Sequence, residues 1–226
     1  MAFCNPWWWL LTTAWFVLAV AIEQPLYLIP LRAAVAFTTT LNVLTSARYH
    51  NSDRARPATR ANEIFWLKPD LSSVSWVLSS IFALWAGHLG FCAGLGAMLV
   101  VNFGLSAVVT TLCFGVFERT GPSVASSRAE VANKLIMGVQ FFGFFGYMVA
   151  RGLDSECAVN MTIWFVYLPG LLCYALNWPR DDDTWGAHDL FHAFVLLGHL
   201  ATYSFDVANL LRSGGMCTLR SGCTFL

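Results

Sequence analysis

Long apolar runs, separated by short polar stretches, make up most of this chain of 226 residues. A helix needs about 20 predominantly apolar residues to cross a bilayer, and the runs are close to that length. The pattern therefore predicts an all-α, polytopic membrane protein, with one seven-helix transmembrane domain over residues 1–226. The predicted spans lie at about residues 7–22, 28–50, 71–87, 91–117, 131–150, 159–178 and 187–211.

Two boundaries rest on particular residues. The first run begins with Trp7-Trp8-Trp9, which is typical of a membrane interface, and no basic region precedes it, so it is interpreted as an anchor helix. The apolar stretch 71–117 is long enough for two crossings, and the turn is placed at Gly87–Gly90. The polar, arginine-rich segment 51–69 is predicted to be a loop.

The composition supports a membrane protein. Hydrophobic residues make up 57% of the chain and charged residues only 12%, about half the charged share of a typical soluble domain. This excludes a disordered protein and disfavours a soluble enzyme. Thirteen basic residues balance thirteen acidic ones, so no basic surface indicates a nucleic-acid partner.

The distribution of basic residues predicts the orientation. With seven spans, nine of the thirteen lysines and arginines fall on the side of the N-terminus, and four fall on the other side. Cytosolic loops carry the excess of positive charge. The N-terminus is therefore expected in the cytosol.

Histidines gather at this same cytosolic face. His50 ends the second span, while His188 and His192 begin the seventh, one helical turn apart. Two imidazoles at i and i+4 can bind one metal ion, and a third from another helix leaves a tetrahedral zinc one open position. Asp70 lies at the start of the third span, and Ser46 one turn before His50. The pattern predicts a zinc site here.

Three segments at this face resemble a known family. Thr45-Ser46-Ala47-Arg48-Tyr49-His50 resembles the S-x3-H motif of the hemolysin III and progestin/adipoQ-receptor families. The segment from His188 to Gly198 resembles their last-helix H-x3-H signature, and Asp70 falls where they carry an aspartate. These families belong to the ceramidase-like (CREST) superfamily of seven-helix membrane hydrolases. The segment from Trp66 to Trp76 is also similar to the transmembrane-eight and post-GPI-attachment phospholipase branch, so the branch stays open.

The resemblance implies a function and assigns roles to residues. His50, His188 and His192 would bind Zn²⁺, Asp70 would hold or deprotonate the water at the metal, and Ser46 would support the site. The expected activity is hydrolysis of the acyl amide or ester bond of a membrane lipid, either ceramide-like or a phospholipid. One alternative is a receptor with a structural zinc site and a lipid ligand, and another is a hemolysin-type membrane-perturbing protein. The expected partners are the bilayer and its lipids, and the sequence does not identify a protein partner.

The remaining histidines and several aspartates have their own interpretations. Asp53, three residues after His50, is the alternative acid. His199 and Asp206 continue the stripe of His192 at seven-residue steps, about 10 Å each along the helix. They are expected either to bond Asn102, Gln140 or Asn160, or to line a lipid cavity. The remaining residues are expected to be solvated or interfacial: His88, Asp189 and Asp181-Asp182-Asp183.

Overall fold

The computed structural model describes residues 4–22, 26–51, 60–88, 93–115, 164–179 and 186–213, together with seven residues between 131 and 142. All regular secondary structure in these residues is helical, which confirms the predicted all-α class. The chain divides into two compact units, Met1–Phe144 with Cys223–Leu226, and Phe145–Gly222.

The first unit contains four long helices. They are α1 (Cys4–Ala21), α2 (Leu28–Asn51), α3 (Arg60–His88) and α4 (Ala93–Gly115). The second unit contains α5 (Trp164–Leu176) and α6 (Ala187–Ser213). The described residues of the predicted fifth span are helical, and the rest of that span lies outside the described residues.

Three helices of the described ranges are long and apolar enough to cross a membrane. Their apolar segments are Leu28–His50, Gly96–Cys113 and Ala187–Ala208. Two shorter apolar helices are Pro6–Ala21 and Phe165–Leu176. The described residues thus support a membrane protein but not seven spans. Helix α3 has 29 residues and is long enough, but its serines and charged first turns make it less apolar.

Helix α3 also begins earlier than the sequence predicts. Residues 60–69, expected in a loop, form its first turns, so that prediction is wrong there. Pro69 is the last residue of the predicted loop, and the residue before a proline disfavours the helical conformation. It lies inside α3 instead, since a proline removes one backbone hydrogen bond but leaves the helix on either side intact.

Polar side chains join α2 to α3 in antiparallel order. The hydroxyls of Thr38 and Ser80 lie 2.7 Å apart. Closer to the end of α2, Asn42 Nδ2 donates to Ser73 Oγ at 2.9 Å, and the Thr45 hydroxyl lies 3.4 Å from the same oxygen. Such bonds between membrane helices each contribute on the order of 1 kcal/mol. They fix the register that brings the last turns of α2 beside the start of the apolar part of α3.

In the second unit, two glycines allow α5 and α6 to approach closely. A Cβ atom added at Gly170 would lie 2.6 Å from Cβ of Phe194, and one at Gly198 would overlap the ring of Tyr167. Small residues at such positions let two membrane helices pack backbone against side chain. The end of α5 is capped by Asn177, whose φ of 49° is the left-handed conformation common at helix C-termini.

Replacing Gly198 by alanine is expected to lower the free energy of unfolding by about 1–3 kcal/mol, because the added methyl group overpacks a buried contact. Thermal unfolding in detergent would measure the change. Gly104→Ala in α4 is the matched control, since nothing lies within 4 Å of its added Cβ. There the better helix propensity of alanine is expected to leave stability unchanged or slightly higher. An unchanged midpoint for Gly198→Ala would contradict the close approach.

Candidate metal centre

The first unit supplies a histidine and an aspartate. His50 lies in the last turn of α2, half-buried, with the ring of Tyr49 packed edge-on at a centroid distance of 4.9 Å. Asp70 lies in α3 and is fully buried. Its backbone carbonyl accepts a hydrogen bond from Ser73 Oγ at 2.9 Å, and Ser73 also contacts α2. The polar contacts between the two helices therefore fix the backbone that carries Asp70.

Ser46 lies one turn before His50 and is 6% exposed. Within the described residues its hydroxyl has no hydrogen-bond partner. A buried hydroxyl without a partner costs roughly 1–3 kcal/mol. Ser46 is therefore free to donate a hydrogen bond to a ligand or a water molecule.

The second unit supplies two histidines at the start of α6. The Nε2 atoms of His188 and His192 lie 3.0 Å apart, and the ring centroids are 4.6 Å apart. Two nitrogens bound to one tetrahedral zinc at about 2.0–2.1 Å lie roughly 3.3 Å from each other. The spacing of the pair is therefore close to that of two zinc ligands.

The helix start that carries this pair is capped. The backbone N–H of Gly186 donates to Asp189 Oδ2 at 3.1 Å, and its carbonyl accepts from Leu190 N at 3.0 Å. A carboxylate in the first turn that reaches back in this way is half of a capping box. Asp189, which the sequence predicts to be solvated, is half-buried, and it also fixes the turn that holds His188.

Among the described residues, one group of side chains could hold a metal ion. It consists of His50, Asp70, His188 and His192, whose ligand atoms all lie within 4.8 Å of one another. Asp70 and His192 are buried, and the other two are half-buried. Three imidazoles and a carboxylate are ligands typical of zinc. The donor set therefore fits the predicted metal.

The remaining histidines and aspartates lie either outside this group of four or outside the described residues. Asp53 and Asp181-Asp182-Asp183 lie outside the described residues, and His88 ends α3 with its side chain undescribed. His199 is fully buried and Asp206 is 3% exposed. One partner of His199 is Tyr167, whose hydroxyl lies 3.1 Å from its Nδ1. The sequence predicts Asn102, Gln140 or Asn160 as partners, or a lipid cavity, and Gln140 and Asn160 lie outside the described residues.

One neighbour of the histidine pair was missed by sequence reasoning. The ring of Tyr174 in α5 lies 5.9 Å from the ring of His188 and 5.1 Å from that of Phe191. The contact joins two helices, so no spacing along the chain indicates it. Aromatic residues make up 15% of the chain, so one more in an apolar run does not distinguish Tyr174.

Comparison of the chain with protein-family models, with curated proteins and with solved structures gave no match.

Proposed function

We propose that this protein is a membrane-embedded, zinc-dependent hydrolase that cleaves the acyl amide or ester bond of a membrane lipid. The observation that carries the proposal is the group His50, Asp70, His188 and His192, with its ligand atoms within 4.8 Å of one another. Three of its members lie in the two motifs that resemble the hemolysin III and progestin/adipoQ-receptor families. Membership of the ceramidase-like superfamily is part of the proposal.

Three imidazoles would hold the metal: those of His50, His188 and His192. A bound zinc supplies a Lewis acid, which polarises a carbonyl group and lowers the pKa of a coordinated water to near 7. Three protein ligands leave a fourth position open, as in catalytic zinc sites, whereas four ligands are typical of structural ones. The activity therefore requires that the carboxylate of Asp70 stays off the metal.

Asp70 and Ser46 would carry the proton chemistry. The Asp70 carboxylate would accept a hydrogen bond from the attacking water and take up its proton. The Ser46 hydroxyl, which is buried and has no partner among the described residues, would donate a hydrogen bond to the carboxylate or to the substrate carbonyl. Both side chains are buried away from bulk solvent. In the protein interior the low local dielectric strengthens such hydrogen bonds.

A lipid is the substrate that suits this location. Two of the helices that carry the histidines, α2 and α6, contain segments long and apolar enough to span a membrane. Ionisable residues inside such segments are costly, so their presence indicates a function. The seven-helix arrangement and the cytosolic position of the site belong to the proposal and follow from the apolar runs and the basic residues.

Metal content of the purified protein tests the site. The wild-type chain is expected to contain about one zinc ion by elemental mass spectrometry, and His50→Ala is expected to lose most of it, because one of three ligands is gone. His88→Ala is the control, since its position at the far end of α3 should leave the zinc content unchanged. Absence of zinc from folded wild-type protein would contradict the proposal.

Lipid cleavage tests the activity. Zinc-loaded protein is expected to release fluorescent fatty acid from phosphatidylcholine vesicles that carry a labelled-acyl ceramide or a labelled-acyl phospholipid. The lipid that is cleaved identifies the bond as an amide or an ester. A protein that binds zinc but cleaves neither lipid would overturn the hydrolase and favour a receptor with a structural zinc site.

A further inference from the structure

Helix α5 presents two tyrosines to α6, and each contacts a histidine. Tyr167 bonds His199 at 3.1 Å, deep in the helix pair. Seven residues further along α5, Tyr174 packs against His188, with ring centroids 5.9 Å apart and an angle of 47° between the rings. The second contact therefore falls on a member of the candidate metal group.

His188 is the less constrained histidine of its pair. It is the second residue of α6 and is half-buried, while His192 is buried one turn further in. The cap formed by Gly186 and Asp189 fixes the backbone of this first turn, but a half-buried side chain retains more rotational freedom than a buried one. The imidazole of His188 therefore depends most on a packing partner for a fixed orientation.

Tyr174 is well placed to be that partner because its own position is fixed. It lies in the last turn of α5, where its carbonyl accepts a hydrogen bond from Asn177 N at 3.2 Å. The carbonyl of the preceding residue, Cys173, accepts from Trp178 N at 3.0 Å. This pair of bonds is a Schellman cap, which stops the helix end from fraying. The ring also packs on Phe191 at 5.1 Å.

We propose that Tyr174 is a positioning residue for the metal site. Its ring holds the imidazole of His188 in the orientation that brings Nε2 within 3.0 Å of Nε2 of His192. Partners behind the ligands orient them and are needed for full metal affinity. The inference rests on the proposed metal site, but it does not depend on the lipid or on hydrolysis.

Cobalt binding tests this role, since the visible absorption of Co²⁺ reports both its affinity and its ligand geometry. Tyr174→Ala is expected to weaken Co²⁺ binding about tenfold, in the range for residues that orient metal ligands, and to change the visible spectrum. Tyr174→Phe keeps the ring and is expected to restore both. Tyr174→Leu keeps apolar volume without a ring, so it gives the measurement if the alanine variant does not fold.

A matched control is Phe165→Ala, which removes an exposed ring from the same helix, 39% exposed. It is expected to leave affinity and spectrum unchanged. The role of Tyr174 is overturned if the alanine and leucine variants bind Co²⁺ as the wild type does, or if Tyr174→Phe is as weak as they are. Wild-type protein that binds no Co²⁺ would remove the metal site itself, and with it this inference. The first two outcomes leave the proposed site intact.

Discussion

The variant with both His188 and His192 replaced by alanine is expected to contain no zinc after purification. These residues supply two of three imidazole ligands, and their Nε2 atoms lie 3.0 Å apart. One remaining imidazole and a carboxylate cannot complete a tetrahedral site. Zinc affinity is expected to fall by roughly a thousandfold or more, because the loss of even a partner behind a ligand costs 10–100-fold. Elemental mass spectrometry and titration against a chelator would measure both quantities.

His199→Ala is the matched control for this double variant. His199 is on the same helix and the same face, seven residues beyond His192, and is fully buried. Its removal breaks the bond to Tyr167 and leaves a cavity, so the thermal midpoint is expected to fall. The zinc content is nevertheless expected to stay at about one per chain. Zinc retained by the double variant would show that the ion is bound at another site.

The helices of this chain were largely predictable because each is a long apolar run. The second and seventh predicted spans agree with α2 and α6 to within two residues at each end. The start of α3 was not predictable, because Pro69 lies inside this helix although a proline locally favours a helix boundary. Within the described residues three helices are long and apolar enough to span a membrane, and α3 is not among them because the serines that bond it to its neighbours lower its apolar character.

The candidate site was predictable to the extent that it is local. The His188 and His192 pair follows from the period of a helix, which places residues i and i+4 on one face. The count of predicted spans places His50 and Asp70 at the same membrane face as this pair. Tyr174 and Gly198 could not be found in this way, because their roles arise only where α5 packs on α6.

The carboxylate decides which of the two zinc-based functions applies, and Asp70→Asn is expected to separate them. The amide is nearly the same size as the carboxylate but cannot take up a proton. Loss of a general base typically lowers the rate by 10²–10⁴-fold, so release of labelled fatty acid from the vesicles is expected to fall by at least about a hundredfold. The zinc content is expected to remain at about one per chain, since three histidines still hold the ion.

A different result for Asp70→Asn would identify a closed site. Asp70 is fully buried and belongs to the group within 4.8 Å, so its carboxylate is close enough to compete for the metal. If the variant lost its zinc, Asp70 would be a fourth ligand, and a site with four protein ligands has no position for a reacting water. Asp189→Asn is the control: its amide oxygen can still accept from Gly186 N, so both zinc content and rate should be retained. Loss of rate with zinc retained, at position 70 alone, is the outcome that a hydrolase requires and a structural zinc site does not produce.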